Sequence, residues 1–265
     1  MTRDQLQPGY VLHRRDYGDT SLLLDVYAAA AGRIALVAKG ARRARRGGSS
    51  QAALLQPYQP LLLAWTGRGE VGTLTRAEPA GRPLPLAGDA LYCGFYVNEL
   101  LLRLVARHDA DEIIFAAYQR ALTELAGGGE ADTPLRRFEL TLLGQLGYRP
   151  PLDRDADTGR PIAADVRYVV EPERGPILDG MDHPDALSGA TLLALEAGTR
   201  LPPGAAREAR RLLRRLLAPH LGERPLQSRA LFAARRRGGA KLSAPTPDPG
   251  AHTRLDPAPD SLQGV

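Results

Sequence analysis

The sequence predicts an α+β protein in which an N-terminal five-stranded β-barrel packs on an α-helical domain. The first 80 residues contain short apolar runs bounded by turn residues, a pattern typical of β-strands. From Pro83 onward the apolar residues recur every three or four positions, which indicates helices. A chain of 265 residues with 43% hydrophobic residues suits one large domain or two modest ones.

The candidate strands are bounded by the turns "DYGD", "AAAG" and "GRGE" and by an arginine-rich loop. Between the third and fourth strands, "QAALLQP" fits a single helical turn. Five short strands with one helical element at that place are typical of an OB-fold barrel, although an SH3-like barrel also has five short strands. The strands are predicted at residues 9–14, 21–27, 33–39, 60–66 and 71–77.

Three helices with short links follow. Asp89 is the expected N-cap of the first, and Thr133 followed by Pro134 is the expected start of the third. The second and third helices carry apolar stripes that predict a bundle core. These stripes are Ile114, Tyr118, Leu122 and Leu125 in one helix, and Leu135, Phe138, Leu142 and Leu146 in the other.

The remaining patterns complete the predicted domain organisation. Residues 148–187 form an irregular, cysteine-free insert, and helical patterning resumes at Ser188 and includes an arginine-rich helix. The last residues contain too few large apolar side chains to fold, so we expect a disordered tail. The predicted parts are an OB-fold domain at 1–80, a helical domain at 81–235 and the tail at 236–265.

Positive charge is concentrated in the loop "VAKGARRARRGGSS" at residues 37–50. The net charge is +5, so an anionic partner is plausible. Arginine binds phosphates through two parallel hydrogen bonds and stacks on exposed bases, and a glycine-flanked loop follows an irregular strand. We therefore favour nucleic-acid contact here, against the alternative of a solvated loop in an arginine-rich chain. The cations are Lys39, Arg42, Arg43, Arg45 and Arg46.

Few residues suggest catalysis. The phosphate-loop motif is missing, the five histidines are scattered, and Cys93 lies in an apolar helix where a core cysteine is expected. The aspartates of "DRDADTG" at 153–159 match the start of a calcium loop, but Thr158 and Ala164 occupy its glycine and glutamate positions, which favours a solvated turn. We expect a binding protein and no enzyme. A metal-dependent nucleic-acid hydrolase and a protein-only adaptor remain alternatives.

The single cysteine excludes an internal disulfide and a cysteine-based zinc site, and it fits a reducing compartment. The N-terminus has no apolar signal-peptide region, and no run approaches 18 apolar residues. We therefore expect a soluble cytoplasmic protein with no membrane partner.

Taken together, several segments resemble the RecO family of DNA-repair proteins in order and spacing, over about residues 8–233. They include "VLHRRDYGDTSLLLDVY", "GRIALVAKGARR", "LYCGFYVNELLLRL", "LRRFELTLLGQLGY" and "RPLQSRALF". The resemblance implies an OB-fold on a helical domain that binds single- and double-stranded DNA, anneals complementary strands and associates with RecR. It also implies action on DNA coated by single-strand-binding protein (SSB), where RecA is loaded, and hence association with the nucleoid.

The resemblance also implies functional residues. The barrel positions that match the family's basic pattern are Arg14, Arg33, Lys39, Arg42 and Arg43, and Arg45 and Arg46 extend the same loop.

In the helical domain, Arg136, Arg137 and Phe138 match the motif that receives the acidic, Phe-terminated SSB tail. The alternative is that Phe138 belongs to the core and the arginines are solvated. Many members hold zinc through four cysteines in the segment matching 148–187, but this chain has only His183 there, so we expect no zinc and no other cofactor.

Overall fold

The structure is a computed structural model that describes residues 5–43, 50–67, 69–178 and 183–238. The predictions for Arg45, Arg46 and residues 239–265 of the expected tail lie outside the described residues. Residues 236–238 belong to the last helix, although the tail was expected to begin at residue 236. Within the described ranges, no helix is both long enough and apolar enough to cross a membrane.

The N-terminal strands close into a barrel in the order β1-β2-β3-β5-β4, with β1 paired to β4. Strands β3 and β5 are parallel and the other pairs are antiparallel. With a short helix between β3 and β4, this is the predicted OB-fold. Its interior is aliphatic, which fits the narrow centre of a five-stranded barrel. The elements are β1 Gln7–Tyr17, β2 Ser21–Ala28, β3 Gly32–Ala38, α1 Gln51–Leu54, β4 Leu61–Thr66 and β5 Val71–Pro79.

The remaining elements form a helical bundle with a small three-stranded sheet inserted after the third helix. Both apolar stripes predicted for α3 and α4 face the core, apart from Leu146, which is partly buried at the end of α4. The elements are α2 Asp89–Leu104, α3 Glu112–Ala126, α4 Asp132–Gln145, β6 Arg167–Glu171, β7 Gly175–Ile177, β8 Leu187–Ser188, α5 Gly189–Ala197, α6 Ala206–Leu221 and α7 Gln227–Gly238.

The two expected N-caps are wrong by one or two positions. Asp89 lies in the first turn of α2, after Gly88, and α4 begins at Asp132, before Thr133. In both helices the aspartate is in the first turn, where its charge is favourable against the positive end of the helix dipole without occupying the cap itself.

Aromatic side chains on the outside of the barrel join it to the helices. Tyr10 and Tyr27 are buried, and their rings lie 5.2 Å and 6.4 Å from the ring of Tyr118 on α3. Asn98 of α2 lies between the two domains: its amide donates to the Leu12 carbonyl at 2.8 Å and accepts from the Tyr118 hydroxyl at 2.7 Å. The outer face of the barrel and the bundle therefore share one core, which is separate from the barrel interior.

The backbone approaches closely along this seam. Gly32 has a φ of +64°, and a Cβ there would lie 2.0 Å from the Asp109 carbonyl oxygen in the α2–α3 link. A side chain at Gly94 of α2 would lie 2.8 Å from the ring of Tyr58. Gly32 is needed because the backbone of the α2–α3 link lies against it, and Gly94 is needed because the Tyr58 side chain does.

We expect Asn98→Ala to lower the free energy of unfolding by about 2–4 kcal/mol, because it leaves a buried carbonyl and a buried hydroxyl without partners. Urea denaturation followed by circular dichroism measures this change. Gln119→Ala is the control: Gln119 makes one longer, partly exposed bond of 3.3 Å to Tyr10. Its expected cost is below about 1 kcal/mol. Equal losses in the two variants would contradict the role given to Asn98.

Candidate nucleic-acid interface

Two arginines expected to bind DNA, Arg14 and Arg33, donate their hydrogen bonds inside the protein. Arg14 Nη1 donates to the Ala52 carbonyl at 2.8 Å, which ties β1 to α1. Arg33 Nη1 donates to the Leu102 carbonyl near the end of α2. Burial lowers the pKa of both guanidinium groups from the usual arginine value. Turning either side chain toward a DNA strand would break these hydrogen bonds to backbone carbonyls.

Arg42 fastens the arginine loop to the β1–β2 hairpin. Its guanidinium forms an ion pair with the Asp16 carboxylate and donates to the carbonyls of Gly18 (3.1 Å) and Asp19. Its backbone N–H donates to the Thr20 carbonyl at 2.9 Å. These contacts place the start of the loop against the hairpin.

Lys39 and Arg43 are exposed, and within the described ranges neither side chain has an ion pair or a hydrogen bond. They flank an open cavity of about 370 Å³ between the hairpin and the end of β3. The β3 strand ends at Ala38, so Lys39 leaves the barrel where the sheet stops. The cavity is lined by Tyr17, Thr20, Ser21, Val37, Lys39, Gly40 and Arg43.

The aromatic residues in and next to the barrel, whose rings could stack on DNA bases, also divide into buried and exposed ones. Tyr10, Tyr27 and Tyr58 are buried in the shared core, and Trp65 is partly buried against the barrel interior. Tyr17 is 54% exposed. The alternation of apolar residues in β1 and β2 does not show that Tyr10 and Tyr27 are buried while Tyr17 is exposed. Tyr10 and Tyr27 are buried by helices that lie far away in the sequence.

In the helical domain, Phe138 and Arg136 lie in the interior. Phe138 is 1% exposed, and Arg136 is 6% exposed and forms an ion pair of 3.0 Å with Glu139, which is itself buried. Tyr96 donates to the same Glu139 oxygen at 2.5 Å. Burial raises the pKa of the Glu139 carboxyl, and the positive charge of Arg136 opposes this effect. Phe138 therefore occupies the core position that the alternative interpretation gave it.

Arg137 lies on another side of α4, in a cleft of about 250 Å³. Its Nη1 binds both oxygens of Glu124 at 2.7 and 2.9 Å, and its Nη2 donates to the Gly198 carbonyl at 2.6 Å. Arg120 and Arg149 line the same cleft. Sequence patterns do not indicate that Arg120 and Arg149 lie beside Arg137, because the three arginines come from α3, α4 and the segment after α4.

A third group of arginines lies on the outer face of α6, opposite the leucines that face the core. Three arginines of α6 form ion pairs: Arg210 with Asp132 at 3.0 Å, and Arg211 and Arg215 with Asp185 at 3.3 Å and 3.0 Å. Arg207 and Arg214 are exposed and have no ion pair among the described residues.

The acidic cluster of the insert is a hydrogen-bonded turn. Asp155 Oδ1 accepts from the N–H and the hydroxyl of Thr158 at 2.7 and 2.8 Å, and Oδ2 accepts from the N–H of Leu178 at 3.0 Å. Both oxygens are thus engaged by donors, which does not suit a cation ligand. The insert has no cysteine, and the described residues contain no group of three or more His, Cys, Asp or Glu that suits a metal ion. The residues present therefore do not fit zinc.

Cys93 is partly buried, and burial raises the pKa of its thiol to about 11. The group is therefore protonated near neutral pH, as expected for a core cysteine and not for a nucleophile.

Comparison with known proteins decides the family. The model named Recombination protein O N terminal matches residues 1–82, and the model named Recombination protein O C terminal matches residues 86–230. The chain belongs to the RecO family. The two matches together cover both the barrel and the bundle.

Relatives from several bacteria agree with this family over most of their length. The DNA repair protein RecO of Methylococcus capsulatus is 46% identical over 231 residues, which are 87% of this chain and 94% of that protein. The DNA repair protein RecO of Nitrosococcus oceani is 47% identical over 241 residues, 88% of this chain and 95% of that protein. The DNA repair protein RecO of Haemophilus influenzae (strain 86-028NP) is 42% identical over 230 residues, which are 87% of this chain and 96% of that protein. The family resemblance inferred from the sequence is confirmed.

We expect Arg136→Gln to lower the free energy of unfolding by about 3–5 kcal/mol, because it leaves the buried Glu139 carboxylate without its cation. Arg137→Gln removes a more exposed pair, with side chains 23% and 34% exposed, and should cost about 1 kcal/mol. Urea denaturation measures both. The double variant Arg136→Gln/Glu139→Gln should recover part of the loss. Equal destabilisation by the two single variants would contradict the claim that loss of the buried Arg136–Glu139 pair costs more than loss of the more exposed Arg137–Glu124 pair.

The contribution of Asp155 to stability depends on pH. Hydrogen bonds, first of all from Thr158, lower the pKa of its carboxyl below the value of about 3.9 expected in the unfolded chain. The stabilisation is therefore complete above about pH 4–5 and is lost as the pH falls through the folded-state pKa.

Asp155→Asn should lower the free energy of unfolding by about 1.5–3 kcal/mol at pH 7, since hydrogen bonds to a charged group are worth this much. The difference from wild type should shrink toward pH 2 in urea denaturation. The control is Asp153→Asn, because the Asp153 side chain is 47% exposed. A difference that stays constant with pH would refute this account.

Proposed function

We propose that the chain is a DNA repair and recombination mediator that binds single- and double-stranded DNA and anneals complementary strands. The observation that carries the proposal is the pair Lys39 and Arg43, whose charges are unengaged by other described residues at the edge of an OB-fold barrel. Arg45 and Arg46 follow directly in the sequence. Relatives named DNA repair protein RecO support the same assignment.

Annealing needs charge neutralisation and proximity and no catalytic residue. Two DNA strands repel each other through their phosphates, and cations on a protein surface replace the condensed counterions. Holding both strands on one surface raises their effective concentration. A surface of this kind contacts phosphates and does not read bases, so it suits a protein that must act on any sequence.

The proposed partners are RecR, SSB and, through them, RecA. The acidic SSB tail needs cations that receive a carboxylate. Arg137 is the member of the motif Arg136-Arg137-Phe138 that lines a cleft, with Arg120 and Arg149 beside it. These arginines already pair with Glu124 and Glu196, so the tail carboxylates would bind by exchanging with those acidic partners. We therefore assign the tail to this cleft, with Arg136 and Phe138 supporting it from the core.

The test is fluorescence anisotropy of a labelled single-stranded oligonucleotide over a range of salt concentrations. Each lost phosphate contact flattens the slope of log K against log salt by about 0.7. Lys39→Gln/Arg43→Gln should therefore flatten it by about 1.4 and slow strand annealing. The matched control is Arg207→Gln/Arg214→Gln, which removes the same charge from the exposed face of α6 and should leave the slope unchanged.

Three results would contradict the proposal. A wild-type protein that binds no DNA at low salt would favour the protein-only adaptor. A slope that changes with the α6 variant and not with the barrel variant would place the DNA surface on α6. Magnesium-dependent cleavage products on a denaturing gel would favour the hydrolase.

A further inference from the structure

The cavity between the β1–β2 hairpin and the end of β3 combines three kinds of group in one place. It has an aromatic ring from Tyr17, hydroxyls from Thr20 and Ser21, and cations from Lys39 and Arg43. Its volume of about 370 Å³ lies at the small end of the range of about 300–1,000 Å³ for ligand pockets. A single planar group with an attached anion matches both its size and its chemistry.

Tyr17 differs from the other tyrosines in and next to the barrel. The rings of Tyr10, Tyr27 and Tyr58 all pack against aromatic rings of the helices, whereas no ring lies against Tyr17 among the described residues. Tyr148 is also exposed, but its ring stacks on His220 at 3.8 Å. The exposed ring of Tyr17 is therefore open to an incoming planar group at a point where two cations converge.

The walls of the cavity are held in place before any ligand binds. The contacts of Arg42 with Asp16 and with the hairpin carbonyls fix the residues directly after β3 against the hairpin. The Gly40 N–H donates to the Ser21 hydroxyl oxygen at 3.4 Å, and both residues line the cavity. A pre-formed site avoids part of the entropy cost of ordering its walls on binding.

We propose that this cavity binds one unstacked base of single-stranded DNA, with the base on the ring of Tyr17 and the neighbouring phosphates on Lys39 and Arg43. The inference rests on the proposed function and adds a preference to it. A base in a duplex must first leave its stack and its partner, which costs free energy, whereas a single strand presents bases already unstacked. Tyr17 thus makes the barrel edge selective for single strands, which phosphate contacts alone do not do.

The test compares Tyr17→Leu and Tyr17→Phe with wild type, on a single-stranded oligonucleotide and on a duplex of the same length. Stacking on an aromatic ring is worth about 5- to 150-fold in affinity per base. Tyr17→Leu should weaken single-strand binding by about ten-fold and duplex binding by less than about two-fold. Tyr17→Phe keeps the ring and should match wild type. The salt slope should not change, because no phosphate contact is lost.

A second readout is the emission of 2-aminopurine placed in the single strand, which changes when the base stacks on a ring. Wild type and Tyr17→Phe should change this emission, and Tyr17→Leu should not. Circular dichroism confirms that each variant is folded.

Some outcomes would overturn the inference and leave the proposed function standing. One is unchanged single-strand affinity in Tyr17→Leu while Lys39→Gln/Arg43→Gln weakens binding; another is equal weakening on single strands and duplexes. A wild-type protein that binds neither form of DNA would overturn both the inference and the proposed function.

Discussion

The packing of the barrel on the helices determines which surfaces of the molecule are open. Tyr10 and Tyr27 point outward from the barrel, yet both are buried because α2 and α3 cover that side. In the core between the barrel and the helices, the Asn98 side chain donates a hydrogen bond to a barrel carbonyl and accepts one from the Tyr118 hydroxyl. A buried polar group with both partners in place fixes one arrangement of the two domains, since any other leaves polar groups unpaired. The turn of the β1–β2 hairpin and the side chains of Lys39, Arg42 and Arg43 after β3 remain exposed as a result.

The same packing divides the basic residues by role. Arg14 and Arg33 donate hydrogen bonds to backbone carbonyls of α1 and α2, and Arg42 donates to backbone carbonyls of the hairpin. These arginines build the surface that carries Lys39 and Arg43, whose side chains have no ion pair or hydrogen bond among the described residues. A positive charge that already has partners gains less from a phosphate, so the unpaired cations carry most of the electrostatic attraction for a strand.

Local patterns in the sequence predicted the elements well and their contacts poorly. All five predicted strands are present, and so is the predicted helical turn between the third and fourth strands, which is α1. These elements could be predicted because apolar alternation and turn residues are local properties of the sequence. The start of helix α7 has no capping residue next to it in the sequence. Instead, Glu99 of α2, which is distant in sequence, accepts hydrogen bonds from the N–H groups of Gln227 and Ser228 and caps the helix. Likewise the role of Phe138 depends on what covers it, although its place on an apolar stripe already pointed to the core.

The central claim is that DNA lies on the edge of the barrel formed by the β1–β2 hairpin and the end of β3. Amide hydrogen exchange with and without a single-stranded oligonucleotide tests it most directly. The account predicts that protection on binding is concentrated in the peptides that carry Tyr17–Ser21 and Val37–Arg43, with α6 unchanged. Protection confined to α6 or to the Arg137 cleft, with the barrel edge unchanged, would contradict it.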